Sequence, residues 1–230
     1  MRRYLSLLQA VVFALCLSHS NAAGSVDPTN TVVVVFGQNL TAAQSDQFWR
    51  AISDRFVQEN KLVATDAECE AFEKFQNNSM VKGREQWKHE LADIELKLKS
   101  VDLPEAKKQE LQKNREMYLR LEQTQIKMEQ YPGIKEAQRK NSRQWVTWFK
   151  ADKVLYEKYG GAVAITKFGL FPFEARRKLT AEHIQRGDIV FVDKTFEAQF
   201  WENYQKPGRH LAQKEQIDFT PYWLKPLPDN

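Results

Sequence analysis

Residues 142–191 read SRQWVTWFKADKVLYEKYGGAVAITKFGLFPFEARRKLTAEHIQRGDIVF, and the fold class is decided by how this stretch is punctuated. It opens as a helix rich in large rings and stops at Gly160-Gly161, a pair suited to the left-handed conformation in which helices end. A short alternating strand follows from Ala162, then a turn at Pro172. A second helix ends at Gly187, and the β-branched run Ile189-Val190-Phe191 comes after it. A long helix, a strand and a helix in series need partners on both sides. The expected fold class is mainly α: a helical body, a projecting antiparallel helical hairpin, and a small α/β C-terminal lobe.

Upstream, Tyr131-Pro132-Gly133 breaks the chain, so the long helix is expected over Ile134 to Tyr159. Before that break the sequence is highly charged and its apolar residues are sparse. Trp87, Leu91, Ile94, Leu98 and Val101 recur at alternating steps of four and three, the narrow seam of a coiled coil. Asp102-Leu103-Pro104 interrupts the seam, with Pro104 where a new helix takes its first residue. Leu111, Tyr118, Leu121 and Met128 mark the return arm, weakened by Asn114 and Gln125 at seam positions. Pairs such as Asp93 with Lys97, Glu95 with Lys99 and Glu116 with Arg120 support the arms by a few tenths of a kcal/mol each. The mixed charge is the solvated face of a hairpin spanning about residues 82–130.

Nearer the start, Thr31 to Phe36 (TVVVVF) is a β-branched strand, with Gly37-Gln38-Asn39 as the turn after it. Thr41-Ala42-Ala43-Gln44 has the spacing of a capping box. The helix it opens carries Phe48, Trp49, Ile52 and Phe56 on one face to about Glu59. Thr65-Asp66-Ala67-Glu68 opens a short helix with Cys69, Phe72 and Phe75, which Asn77-Asn78-Ser79 is expected to end. Beyond Phe191 a helix is expected from Lys194 to Gln205, then an extended tail containing Pro207, Pro221, Pro226 and Pro228.

Residues 1–22 combine a basic start, an apolar run from Leu5 to Leu17 and a small-residue exit, the pattern of a secretory signal peptide. The run is too short to span a membrane, so no integral membrane segment is expected after cleavage. Loss of Arg2 and Arg3 with the leader lowers the formal charge from +4 to +2. Such a small surplus gives no reason to expect nucleic acid as a partner. Cys69 is then the only cysteine, so no internal disulfide forms and stability rests on packing. The expected division is a leader at 1–22, a helical domain at 23–159, an α/β lobe at 160–206 and a tail at 207–230.

Chemistry is hard to find. His89, His183 and His210 lie far apart with no cysteine or carboxylate at metal-ligand spacing. There is no nucleophile elbow or phosphate-binding glycine loop. No catalytic residue, metal or cofactor is therefore expected. What the chain does have is rings: Trp49, Phe56, Trp145, Trp148, Phe149 and Tyr156 are the candidate contacts for apolar segments of another protein. Rings offer large contact area at low entropy cost. For any single ring, a place in the core is the more frequent outcome.

The order of elements from Val32 to Phe72, with Gly37-Gln38-Asn39-Leu40-Thr41 turning into a helix and Glu59-Asn60-Lys61-Leu62 leading to Ala64-Thr65-Asp66-Ala67-Glu68, resembles the N-terminal domain of SurA-like periplasmic chaperones. The piece from Ala162 to Phe191, with Gly187-Asp188-Ile189-Val190-Phe191, resembles the opening of a parvulin isomerase domain, truncated before that domain would be complete. The resemblance implies an exported, periplasmic chaperone that binds unfolded or envelope proteins. A relative of peptidyl-prolyl isomerases and a dedicated assembly factor for one envelope partner are the alternatives. The parvulin histidine and glycine-rich loop have no counterpart, which speaks against isomerase activity.

Overall fold

The computed structural model describes residues 30–226, apart from 101, 167–168 and 206–209. The expected signal peptide at 1–22 lies outside these residues, as does part of the expected tail. The elements run β1 (Thr31–Val35), β2 (Gln38–Thr41), α1 (Ser45–Glu59), α2 (Asp66–Leu98), α3 (Glu105–Glu129), α4 (Ile134–Tyr159), β3 (Ala164–Thr166), β4 (Gly169–Phe171), α5 (Phe173–Gln185), β5 (Ile189–Phe191) and α6 (Lys194–Gln205). The protein is mainly helical with a small α/β part. It divides into two compact units, one built on Asp66–Ser142 with residues 223–226, the other on residues 30–65 and Arg143–Tyr222.

In the first unit, α2 and α3 form an antiparallel hairpin. Ile94, Leu111 and Tyr118 are buried, with Trp87, Leu91, Leu98, Met117 and Leu121 packed around them, largely the seam expected from the heptad spacing. Asp93 and Glu116 pair within their helices with Lys97 and Arg120, whereas Glu95 reaches across to Arg115 at 3.2 Å. Arg84 with Glu129, and Tyr118 with Glu90, also cross the hairpin. Burial and the Glu90 carboxylate push the Tyr118 phenol up to about 12. The break expected at Asn77-Asn78-Ser79 does not occur: α2 is continuous. Asn and Ser in mid-helix cost only tenths of a kcal/mol each, to about 0.7, and the Ser79 hydroxyl donates back to the Phe75 carbonyl at 2.9 Å. Near its start, Phe72 meets Trp223 edge-on at 5.1 Å.

In the second unit, β1 is the centre of an antiparallel sheet ordered β2-β1-β5. Strands alternate faces, so Val33, Val35, Leu40, Ile189 and Phe191 point to one side and are buried. There they meet Phe48, Ile52 and Phe56 of α1, Ala151 and Leu155 of α4, and Ala175 and Leu179 of α5. The residues taken from sequence as a turn, Gln38 and Asn39, belong instead to β2. The turn is one position earlier, at Phe36 (φ 49°) and Gly37 (φ 80°), both left-handed as the tight hairpin requires. A phenylalanine tolerates this because its surroundings hold it. Its N–H donates to the Asp188 carbonyl at 2.7 Å, its ring lies edge-on to His183, and Arg55 sits over it.

The division of the chain differs from the expected boundary at residues 159 and 160, because this sheet joins strands from either side of it. The physical reason is size: a two-stranded hairpin is marginal alone, and its third strand arrives only with β5.

The junction after α4 is built by Gly160 (φ 58°) and Gly161 (φ 96°). A Cβ at Gly161 would stand 2.6 Å from the Glu174 carboxylate. That carboxylate accepts the Ala162 N–H at 2.7 Å, which holds its pKa below the usual range.

One ion pair ties four of these elements together. Arg176 of α5 forms a bidentate pair with Asp152 of α4, at 2.6 and 2.8 Å through one nitrogen and 3.0 Å through Nε. The guanidinium is held between the Trp49 ring of α1 (4.4 Å) and the Phe171 ring of β4 (4.2 Å). Replacing one partner strands the other charge in a desolvated site. Asp152→Ala is expected to lower unfolding free energy in urea by about 3–5 kcal/mol, and Asp152→Leu with Arg176→Met by clearly less. Equal losses would mean the pair is not desolvated.

Candidate functional site

Spacing along α4 puts Trp145, Phe149, Asp152 and Tyr156 in one row, at steps of four, three and four. Trp145 and Trp148 meet edge-on with centroids 5.8 Å apart. All four nominated rings of this helix, Trp145, Trp148, Phe149 and Tyr156, are half-buried, so the helix presents them neither to a sealed core nor fully to water.

The row is met by the C-terminal stretch. Phe219 stacks on Tyr156 at 5.2 Å with 30° between the rings and lies 6.4 Å from Phe149. Tyr222 approaches Phe149 edge-on at 6.2 Å, and burial pushes its phenol up to about 12. The same stretch is tied by its backbone to β3. Ile165 N–H donates to the His210 carbonyl and Ala212 N–H to the Val163 carbonyl, both at 2.8 Å, making an antiparallel bridge between Ala164 and Leu211. A 3-10 turn at Lys214–Gln216 follows. Asp218 then accepts the Thr220 N–H at 2.8 Å, setting the turn that aims Phe219 inward.

Two of the six nominated rings fall elsewhere. Phe56 is 1% exposed and lies in the core under β1. It cannot touch a partner, because the α1 face read from its spacing is the face turned to the sheet. Trp49 is half-buried with its ring beneath Arg176, which makes it part of the ion-pair clamp. Sequence reasoning missed Phe219 and Tyr222 by treating residues 207–230 as a tail. Their spacing of three around Pro221 was the available signal.

His183 is fully buried, its Nδ1 2.9 Å from Asp188 Oδ2, closing the turn at Gly187. Among the described residues no group of three His, Cys, Asp or Glu side chains is placed to hold a metal. No described helix is long and apolar enough to cross a membrane. Compared with protein-family models, curated proteins and solved structures, the chain gives no significant match.

The two classes of ring should separate on mutation. Phe56→Ala is expected to cost about 3–5 kcal/mol in urea unfolding, as for a buried aromatic, and Trp145→Ala distinctly less. A Trp145→Ala loss as large as that of Phe56→Ala would place Trp145 in the core and remove it from the site.

Proposed function

We propose that this is an exported, chaperone-like protein of the bacterial periplasm that holds extended apolar segments of unfolded or envelope proteins without covalent chemistry. The observation that carries the reading is the α4 row, whose half-buried rings are contacted by Phe219 and Tyr222 of a C-terminal stretch that also bonds to β3. Rings of this kind gain contact area without fixing many rotors, so they suit partners of varied sequence. The neighbouring edge of β3 supplies main-chain hydrogen bonds, which do not depend on the side chains of whatever lies beside it. Affinity without strict sequence demand is what a holder of unfolded chains needs. The basic start and short apolar run of residues 1–22 support export. The order of elements from Val32 to Phe72 supports the likeness to SurA-type chaperones.

The test is suppression of light scattering from a chemically unfolded, reduced client. Residues 23–230 at equimolar ratio are expected to lower the aggregation rate several-fold. Trp145→Ala with Phe149→Ala should lose most of that effect while keeping a cooperative unfolding transition. No suppression by the unmodified chain would end the proposal.

A further inference from the structure

His210–Tyr222 lies on its own protein as a peptide lies on a receptor. Its backbone extends β3 at one edge through the two bonds made by Ile165 and Ala212. Its aromatic anchors enter the α4 row three residues apart, Phe219 at 9% exposure and Tyr222 half-buried. Between these holds Gln213 to Gln216, Asp218 and Thr220 are exposed and only Ala212 and Ile217 are half-buried. A segment with so few buried contacts belongs to the low end of local stability and opens far more readily than the core around Phe56.

Resting on the proposed function, we infer that His210–Tyr222 is a built-in ligand that covers the client site. A client segment replaces it by copying its chemistry: an extended stretch that bonds through its backbone to β3 and carries two aromatic residues three apart. The resident segment has the advantage of being tethered, so its effective concentration is high and only segments present in excess, or carrying better rings, displace it. Occupancy by clients is thereby graded: the site stays covered when unfolded protein is scarce and opens as it accumulates. Binding and exposure of the rings are the same event, which keeps an apolar row from facing water while no client is present.

The experiment uses the full mature chain and a fluorescein-labelled peptide of residues 210–222, HLAQKEQIDFTPY, followed by anisotropy. Two variants loosen the resident segment by independent routes. Ala212→Pro deletes the N–H that bonds Val163, and Phe219→Ser with Tyr222→Ser removes the anchors. Both should bind the peptide at least tenfold tighter than the unmodified chain, and a peptide with both rings replaced by serine should bind none of them. Equal affinity for all three chains, or no binding to folded variants, overturns the inference. If the variants fail to unfold cooperatively, the unmodified chain decides. Saturating peptide should speed hydrogen exchange at the Ala212 amide, and unchanged exchange overturns the inference. Failure here with aggregation suppression intact would leave the proposed function standing, and peptide binding without suppression would do the reverse.

Discussion

The second unit depends on the placement of a single charge. Arg176 lies between the rings of Trp49 and Phe171 and forks onto Asp152, so α1, α4, α5 and β4 all meet at one guanidinium. Burial holds the Asp152 carboxyl above its usual range although Arg176 pulls it down; the bidentate geometry argues that the pair is charged. A desolvated pair of this kind adds little net stability, but it punishes every arrangement that separates its members. An apolar contact would tolerate rotation of α4 about its axis, whereas the fork does not. Because Asp152 stands in the same row as Trp145, Phe149 and Tyr156, fixing its direction fixes theirs.

That coupling explains why the rings of α4 are held half-buried. The adjoining row, with Ala151 and Leu155, is committed to the core, and the pair prevents the helix from rolling the aromatic row in after it. The edge of β3 lies where the His210–Ala212 backbone can bond to it. Rings and edge together accept an extended chain, and in this molecule the chain that fills them is its own. The stretch from His210 to Ala212 lies outside any helix, as that role requires, since a helix could not offer its N–H and C=O groups to β3.

Much of the fold was legible in the sequence because its signals are local. The helix over Ile134 to Tyr159, the stop at Gly160-Gly161, the hairpin seam and the helix from Lys194 to Gln205 all follow from periodicity and punctuation. What was not legible depends on distance along the chain. No local signal says that Val33 faces Phe191, so the sheet that unites the two ends of the second unit was hidden and the boundary was set at the glycines. Phe36 at positive φ contradicts its own preference and is held there by His183, Arg55 and the Asp188 carbonyl. Phe56 and Phe149 are both aromatic residues at helical spacing; only the sheet above one and the C-terminal segment beside the other tell core from site. Phe219 and Tyr222 offer one spacing of three around Pro221, a signal too short to set them apart from an extended tail.

The most direct measurement is site-specific photo-cross-linking of an unfolded client, with a benzophenone amino acid placed at position 149 in the α4 row or at the exposed position 113 on the hairpin. Capture of the client from position 149 and little from position 113 is the expected result. Capture from position 113 alone, or equally from both, would contradict the assignment of the α4 row as the client site.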